Sequence, residues 1–152
     1  MFVRATELKF LNDVKVEVTY IDGNVVEYDF STIFAKYPQL KQLRNRKLFE
    51  SGHLDPGGYG IIWNDQLDFD VQSIYECGKK VRTVKTTLAQ QLGYKLLVAR
   101  ENAGITQQEL AKITGIDQAD ISKLERGYGN PSVQKIEKLL MGLNKEIKIS
   151  IS

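Results

Sequence analysis

The chain has 152 residues, 42% of them hydrophobic and 26% charged, a balance that predicts an ordered globular protein and excludes disorder as the main state. No apolar run approaches the ~18–20 residues of a membrane span, and the stretch from Met1 to Glu7 lacks an apolar segment with a cleavage site, so the expected setting is cytoplasmic, with no membrane partner. The net charge of +2 hides an asymmetry: residues 1–78 hold eight Lys and Arg against twelve Asp and Glu, and residues 79–152 hold thirteen against seven, net −4 and +6. An acidic module joined to a basic one is expected, the basic one a candidate for a polyanion.

In chain order, a first strand is expected within Met1 to Phe10. Val14, Val16, Val18 and Tyr20 then alternate with polar residues and predict a strand with one buried face. Asp22-Gly23 is a hairpin turn signal, with Val25 to Phe30 returning. Ser31 is placed to cap a short helix to Tyr37, and Leu40, Leu43 and Leu48 predict more helix up to Glu50. Asp55-Pro56-Gly57-Gly58 reads as a turn, Tyr59 to Trp63 as a strand, and Asp70 to Cys77 as a short helix. Lys79 to Thr87 holds four cations and no acid, and reads as a basic linker, residues 79–87, between domains at 1–78 and 88–152.

From Leu88 the pattern is helical with clear punctuation. Thr87 with Gln90 and Thr106 with Glu109 have the spacing of capping boxes, and Gly104 and Gly115 stop the two helices that follow. Asp117 is placed to cap a third helix, Gln118 to Glu125, and Pro131-Ser132 opens a fourth that runs to about Leu143. In the tail, Ile147, Ile149 and Ile151 alternate, which predicts a C-terminal strand.

Chemistry-bearing residues in the first half are few. His53 is the one histidine and has no motif partner. Gly57-Gly58-Tyr59-Gly60 lacks the Lys-Ser/Thr of a phosphate loop. Asp65, Asp68 and Asp70 lack the spacing of a calcium loop, and Cys77 has neither a disulfide partner nor a zinc-ligand cluster around it. These read as loop, turn, cap and half-buried filler residues; Trp63, Phe69 and Tyr75 read as core. No catalytic residue, metal site or cofactor is expected, and the chain is not expected to be an enzyme.

The second half carries a motif. Two short helices around Thr114-Gly115-Ile116-Asp117 form a helix-turn-helix pattern. Ala111 is small where the helices should cross, Gly115 suits a positive φ, and Leu110, Ile116, Ile121 and Leu124 supply apolar contacts. Gln118, Ala119, Ser122 and Lys123 are left on the outer face of the third helix, where such side chains can pair with adenine, a thymine methyl, phosphate and guanine. Spacing alone leaves open an ordinary solvated helix face.

Gly104-Ile105-Thr106-Gln107-Gln108-Glu109-Leu110-Ala111, Gly115-Ile116, Asp120 to Gly127, and Asn130-Pro131-Ser132 closely resemble the lambda-repressor/Cro family over residues 88–143. The resemblance implies an all-α domain that docks its third helix in the major groove of double-stranded DNA. By position it implies DNA-facing roles for Gln107, Gln118, Ala119, Ser122 and Lys123, and phosphate contacts from Lys95, Arg126 and Asn130. It also pairs Arg100 with Glu125 as a buried structural link. Thr114, at a position that is apolar in the family, and Ile113, at a polar one, depart from the pattern.

Residues 14–77 are similar to a small bacterial domain of unassigned activity that occurs alone or fused to a helix-turn-helix, often beside toxin–antitoxin genes. Val18 to Gly23, Val26 to Phe30, Gly60 to Trp63 and Leu67 to Val71 carry that likeness. The expected fold is thus α+β: a small N-terminal β-sheet domain with short helices, then an all-α lambda-repressor-like domain with a C-terminal β-strand. The expected function is a sequence-specific DNA-binding repressor, homodimeric through Ile147, Ile149 and Ile151, either a stand-alone regulator or an autoregulating antitoxin with a toxin protein as partner, its first half a sensory or protein-binding module. The competing reading is a helix-turn-helix fold that acts only through a protein partner.

Overall fold

A computed structural model of the chain describes residues 3–152. Met1 and Phe2, at the start of the expected first strand, lie outside the described residues. The chain divides into two compact units, residues 3–85 and 86–152.

The first unit is built on an antiparallel sheet of β1 (Ala5–Phe10), β2 (Lys15–Tyr20), β3 (Asn24–Asp29) and β7 (Lys79–Thr83), in the order β1-β2-β3-β7. The alternation in β2 sends Val16, Val18 and Tyr20 into the core. Gly23 turns the β2–β3 hairpin at φ 90°, with the Asp22 carboxylate accepting from the Asn24 amide at 2.9 Å. A second sheet joins β4 (His53–Leu54), β5 (Gly60–Asn64) and β6 (Leu67–Asp70). The Asp55–Gly58 turn holds this sheet against the first one, since the Ala5 amide donates to the Gly58 carbonyl at 2.7 Å.

Between the sheets lies an aromatic core. Phe30 meets Trp63 and Phe69 edge to face at 5.5 and 5.2 Å, and the Trp63 indole donates to the Phe49 carbonyl at 2.9 Å. The connecting helices are tighter and shorter than expected. Phe30–Ile33 and Pro38–Arg44 are 3-10 turns, and only α1 (Arg46–Glu50) is α-helical in this stretch. Asp29, not Ser31, caps the first turn, because its carboxylate accepts from both the Ser31 amide and hydroxyl. Helix α2 (Val71–Cys77) begins as expected, with Asp70 accepting from the Ser73 amide at 2.7 Å. Cys77, expected half-buried, is exposed.

The expected basic linker is largely a strand. Lys79–Thr83 pairs along the open edge of β3, Asn24 opposite Thr83 and Glu27 opposite Lys79, with a bulge at Val81. Every residue of β7 is exposed, so no apolar alternation marks it in the sequence. Its hold is backbone pairing plus a two-pronged Arg82–Glu17 ion pair at 2.9 and 2.5 Å. That guanidinium keeps the Glu17 carboxyl below its ordinary range.

The second unit is helical: α3 (Leu88–Asn102), α4 (Gln107–Thr114), α5 (Gln118–Glu125) and α6 (Val133–Gly142). Both capping boxes are made, and Ser132 caps α6 by accepting from the Lys135 amide at 3.1 Å. Asp117 precedes α5 without a side-chain cap bond; only its carbonyl accepts, from Asp120 and Ile121. An aliphatic core of Leu96, Leu110, Ile116, Ile121, Leu124, Leu139 and Leu143 joins the helices. Residues 144–152 form no strand, contrary to the expected C-terminal one, and are exposed throughout. A strand needs a neighbour for its backbone groups, and this stretch pairs with none among the described residues. Among the described residues, no helix is long and apolar enough to cross a membrane.

Candidate nucleic-acid interface

Helix α5 is set by three devices. The first is a close approach at Gly93, in the middle of α3: an added Cβ would lie 1.9 Å from the Leu124 carbonyl oxygen. The backbones of α3 and α5 therefore touch where only glycine fits. Ala111, expected where α4 and α5 cross, is partly buried against the helical core; Gly93, at the separate crossing of α3 and α5, was not singled out from the sequence. The available signal was a glycine inside a helix, which costs ~1 kcal/mol against alanine and calls for a packing reason.

The second device is a buried polar network. Arg100 Nε and Nη2 donate to the two Glu125 oxygens at 2.6 and 3.0 Å, and Arg100 Nη1 donates to the Ile105 carbonyl at 2.8 Å. Gln107 Nε2 donates to the same carboxylate at 2.8 Å. Glu125 is 1% exposed, so these three donors replace the water it has lost. The network ties the end of α5 to α3 and to the start of α4. It also draws Gln107 inward: this residue, expected to face DNA, is half-buried with an amide N–H committed to Glu125.

The third device is the turn. Gly115 closes α4 at φ 73°. Thr114, the departure from the family pattern, donates its hydroxyl to the Leu110 carbonyl at 2.8 Å and accepts from the Ile116 amide at 3.3 Å, so its polar atom is satisfied inside the turn. Ile113 is 58% exposed, consistent with a position that is usually polar.

So held, α5 buries Ile121, Leu124 and Glu125 and exposes Gln118, Ala119 and Lys123, with Ser122 half-buried between them. Asp120, an acid on the same helix, is paired to Lys135 Nζ at 3.1 Å. Arg126 lies half-buried beyond the helix end, its Nε donating to the Ser122 carbonyl at 3.3 Å and its guanidinium 5.9 Å from the Tyr128 ring centre. Asn130 is exposed in the loop that follows, and Lys95 is exposed on α3. The tail residues Ile147, Ile149 and Ile151 are also exposed. Among the described residues, no group of three or more His, Cys, Asp or Glu is placed to hold a metal ion.

A four-helix unit with its second and third helices joined at a left-handed glycine, and a buried Arg–Glu pair behind the third, is a helix-turn-helix of the lambda-repressor/Cro type. A helix-turn-helix family model matches residues 96–149, and the model of DUF2442, proteins of unknown function, matches residues 5–80. An uncharacterised helix-turn-helix-type transcriptional regulator of Haemophilus influenzae is 30% identical over 92 residues, which are 59% of this chain and 85% of that protein. The chain belongs to the helix-turn-helix family of that regulator, its first half a member of DUF2442. The crystal structure of NE0471 from Nitrosomonas europaea aligns with 92% of this chain and 86% of its own at a TM-score of 0.45 and 18% identity.

Proposed function

We propose that the chain is a DNA-binding transcriptional repressor that works as a homodimer in the bacterial cytoplasm, and that it is an autoregulating antitoxin whose first half binds a protein partner. The observation that carries the DNA reading is the outer face of α5. Its exposed Gln118, Ala119 and Lys123 can address base edges, and its inner face is locked by Gly93 and Glu125. Such a helix enters the major groove as a preformed rod, and little ordering is left to do on binding.

Ser122 would contact phosphate or a base edge, while Lys95, Arg126 and Asn130 would contact phosphates and fix the register. Gln107 acts mainly by holding Glu125, and so the pose of α5, because one of its two amide hydrogens is already engaged. Two half-sites one helical turn apart call for a two-fold dimer. The unpaired tail offers the seam, with Ile147, Ile149 and Ile151 of two copies aligned in an antiparallel pair. The protein-partner assignment for residues 3–85 rests on the likeness of that unit to domains found beside toxin genes.

The test is the salt dependence of binding to the duplex upstream of the chain's own coding sequence. Binding should weaken linearly on a log–log plot as salt rises, with a steeper free-energy advantage for that duplex than for a random one. Equal affinity for both duplexes at every salt concentration would remove sequence-specific regulation and leave the protein-interaction reading.

A further inference from the structure

In the first unit, the 3-10 turns that follow β3 stand apart from β6 and α2 and leave a hollow of about 460 Å³, a volume within the range of small-ligand sites. Its wall is apolar and aromatic: Leu40, Leu67 and Phe69 line it, and the Tyr28 ring stacks on Phe69 at 5.8 Å. The exposed Tyr37 ring also lines it, with Lys36 Nζ 5.1 Å from the ring centre. That ammonium has no carboxylate partner among the described residues, so a ring of this hollow already holds a cation. Asp68 and Asp70 lie two residues apart on β6, hence on one face of the strand, and both line the hollow. Asp70 is committed to α2, where its two oxygens accept from the Ser73 amide and hydroxyl at 2.7 and 2.8 Å. Asp68 is exposed, and its carboxylate has no ion pair or hydrogen bond among the described residues. The same holds for the carboxamides of Gln39 and Gln66 and for the Tyr37 hydroxyl, all of which line the hollow.

We infer that this hollow seats a guanidinium group on a short aliphatic stem, as an arginine side chain carries, with Asp68 as its counter-ion. The uncommitted groups all offer an oxygen acceptor: the Asp68 carboxylate, the Gln39 and Gln66 carboxamides and the Tyr37 phenol. A guanidinium presents its N–H donors in one plane and has no acceptor, so it can satisfy several of these oxygens at once; an ammonium has fewer donors to share. Its flat face also stacks on aromatic rings, and it gives up water more readily than an ammonium does. Leu40 and Leu67 then take the aliphatic stem. Lys36 is a resident competitor, because its charge repels an arriving cation and its ammonium already rests on Tyr37. The seat is independent of the DNA reading above. An arginine of a protein partner and a free guanidino compound present the same group, and the test separates them.

The test titrates the full chain with three probes and follows its backbone and carboxamide NMR shifts. The probes are N-acetyl-L-arginine amide, which has neither a free amine nor a carboxylate, free L-arginine, and N-acetyl-L-lysine amide. Saturable shifts gathered at Gln39, Gln66, Asp68 and Phe69 are expected with the blocked arginine, and weaker binding with the blocked lysine. Asp68→Asn keeps the shape and removes the charge, so affinity should fall about tenfold, the scale of a lost charge-assisted hydrogen-bonded pair. Tyr37→Leu should weaken binding several-fold, and Lys36→Met should tighten it. All three positions are exposed, so the variants should stay folded, which Trp63 fluorescence checks. Blocked arginine binding at least as tightly as free L-arginine supports the seat and assigns it to the side chain of a protein partner. Binding by free L-arginine alone, still lost in Asp68→Asn, supports the seat and assigns it to a small effector. No saturable shift with either form of arginine, equal binding by the blocked lysine, or wild-type affinity in Asp68→Asn overturns it.

Discussion

The two units bury charge in opposite ways. The first packs aromatic rings between two sheets and buries one cation, Arg4, whose Nε donates to the Gly57 carbonyl at 2.8 Å and whose guanidinium lies 5.1 Å from the Tyr59 ring; Nη1 has no hydrogen-bond partner among the described residues. The second packs aliphatic side chains and buries a fully bonded Arg–Glu pair with a glutamine joined to it. A complete network of this kind costs desolvation and returns a fixed relative placement of three helices. In the first unit the core orders the fold; in the second the polar network also fixes which face of α5 is left exposed.

The largest expected effect breaks that network. Arg100→Met would leave Glu125 buried with Gln107 as its only side-chain donor, at a cost of about 3–5 kcal/mol to the helical unit. Replacing Glu125 as well, in Arg100→Met with Glu125→Leu, should recover much of the loss, as read by denaturant unfolding followed through helical circular dichroism. A double variant no more stable than the single one would show that the pair does not constrain the unit.

Next come two glycines that separate the units. In Gly93→Ala the new Cβ would sit 1.9 Å from the Leu124 carbonyl oxygen, forcing α3 and α5 apart at a cost of at least ~1–3 kcal/mol. In Gly58→Ala the Cβ would sit 2.3 Å from the Ala5 carbonyl oxygen at a φ of 76°, with a comparable penalty in the first unit. Trp63, the one tryptophan, reports only on the first unit. Its fluorescence transition should move to lower denaturant in Gly58→Ala and stay in place in Gly93→Ala, while the helical signal does the reverse. Co-movement of both signals in either variant would mean the units unfold as one.

Removing the chain after Asn144 should leave the helical unit folded, since its core ends at Leu143, but should weaken the dimer and the affinity for a two-half-site duplex. Light scattering over a dilution series reads this directly. A truncated chain that dimerises as tightly as the full one would move the seam elsewhere.

The smallest effect is at the exposed strand β7. Glu17 is held below its ordinary carboxylate pKa by the Arg82 hydrogen bonds, so the pair stabilises the folded state above the ordinary value of 4.5 and that contribution is lost as pH falls through the lowered pKa. Arg82→Ala should therefore lower the melting temperature of the first unit slightly at neutral pH, with the difference from wild type shrinking below pH 4.5. A difference that grows on acidification would contradict the pairing.

What the sequence disclosed followed physical rules of differing strength. Caps and turns are local, so Thr87, Thr106 and Gly115 marked helix ends that the structure retains. Alternation in β2 was readable because one face is buried. Strand β7 was hidden because neither face is buried, and its pairing with β3 spans more than fifty residues of sequence. Gly93 was passed over because a mid-helix glycine announces a close neighbour without saying which. The inward turn of Gln107 depends on a carboxylate eighteen residues away, beyond any local pattern. The tail illustrates the converse: its alternation is real, but a strand is a property of a pair, and the single chain supplies only one member.

Whether the exposed face of α5 reads DNA sequence is decided by Lys123→Ala. Measured by fluorescence anisotropy at fixed salt, affinity for a duplex selected from a random-sequence library should fall by about 1–3 kcal/mol, as for loss of a base contact, and by more than affinity for a random duplex. Unchanged affinity for the selected duplex in Lys123→Ala, repeated in Gln118→Ala, would contradict the assignment of this face to recognition.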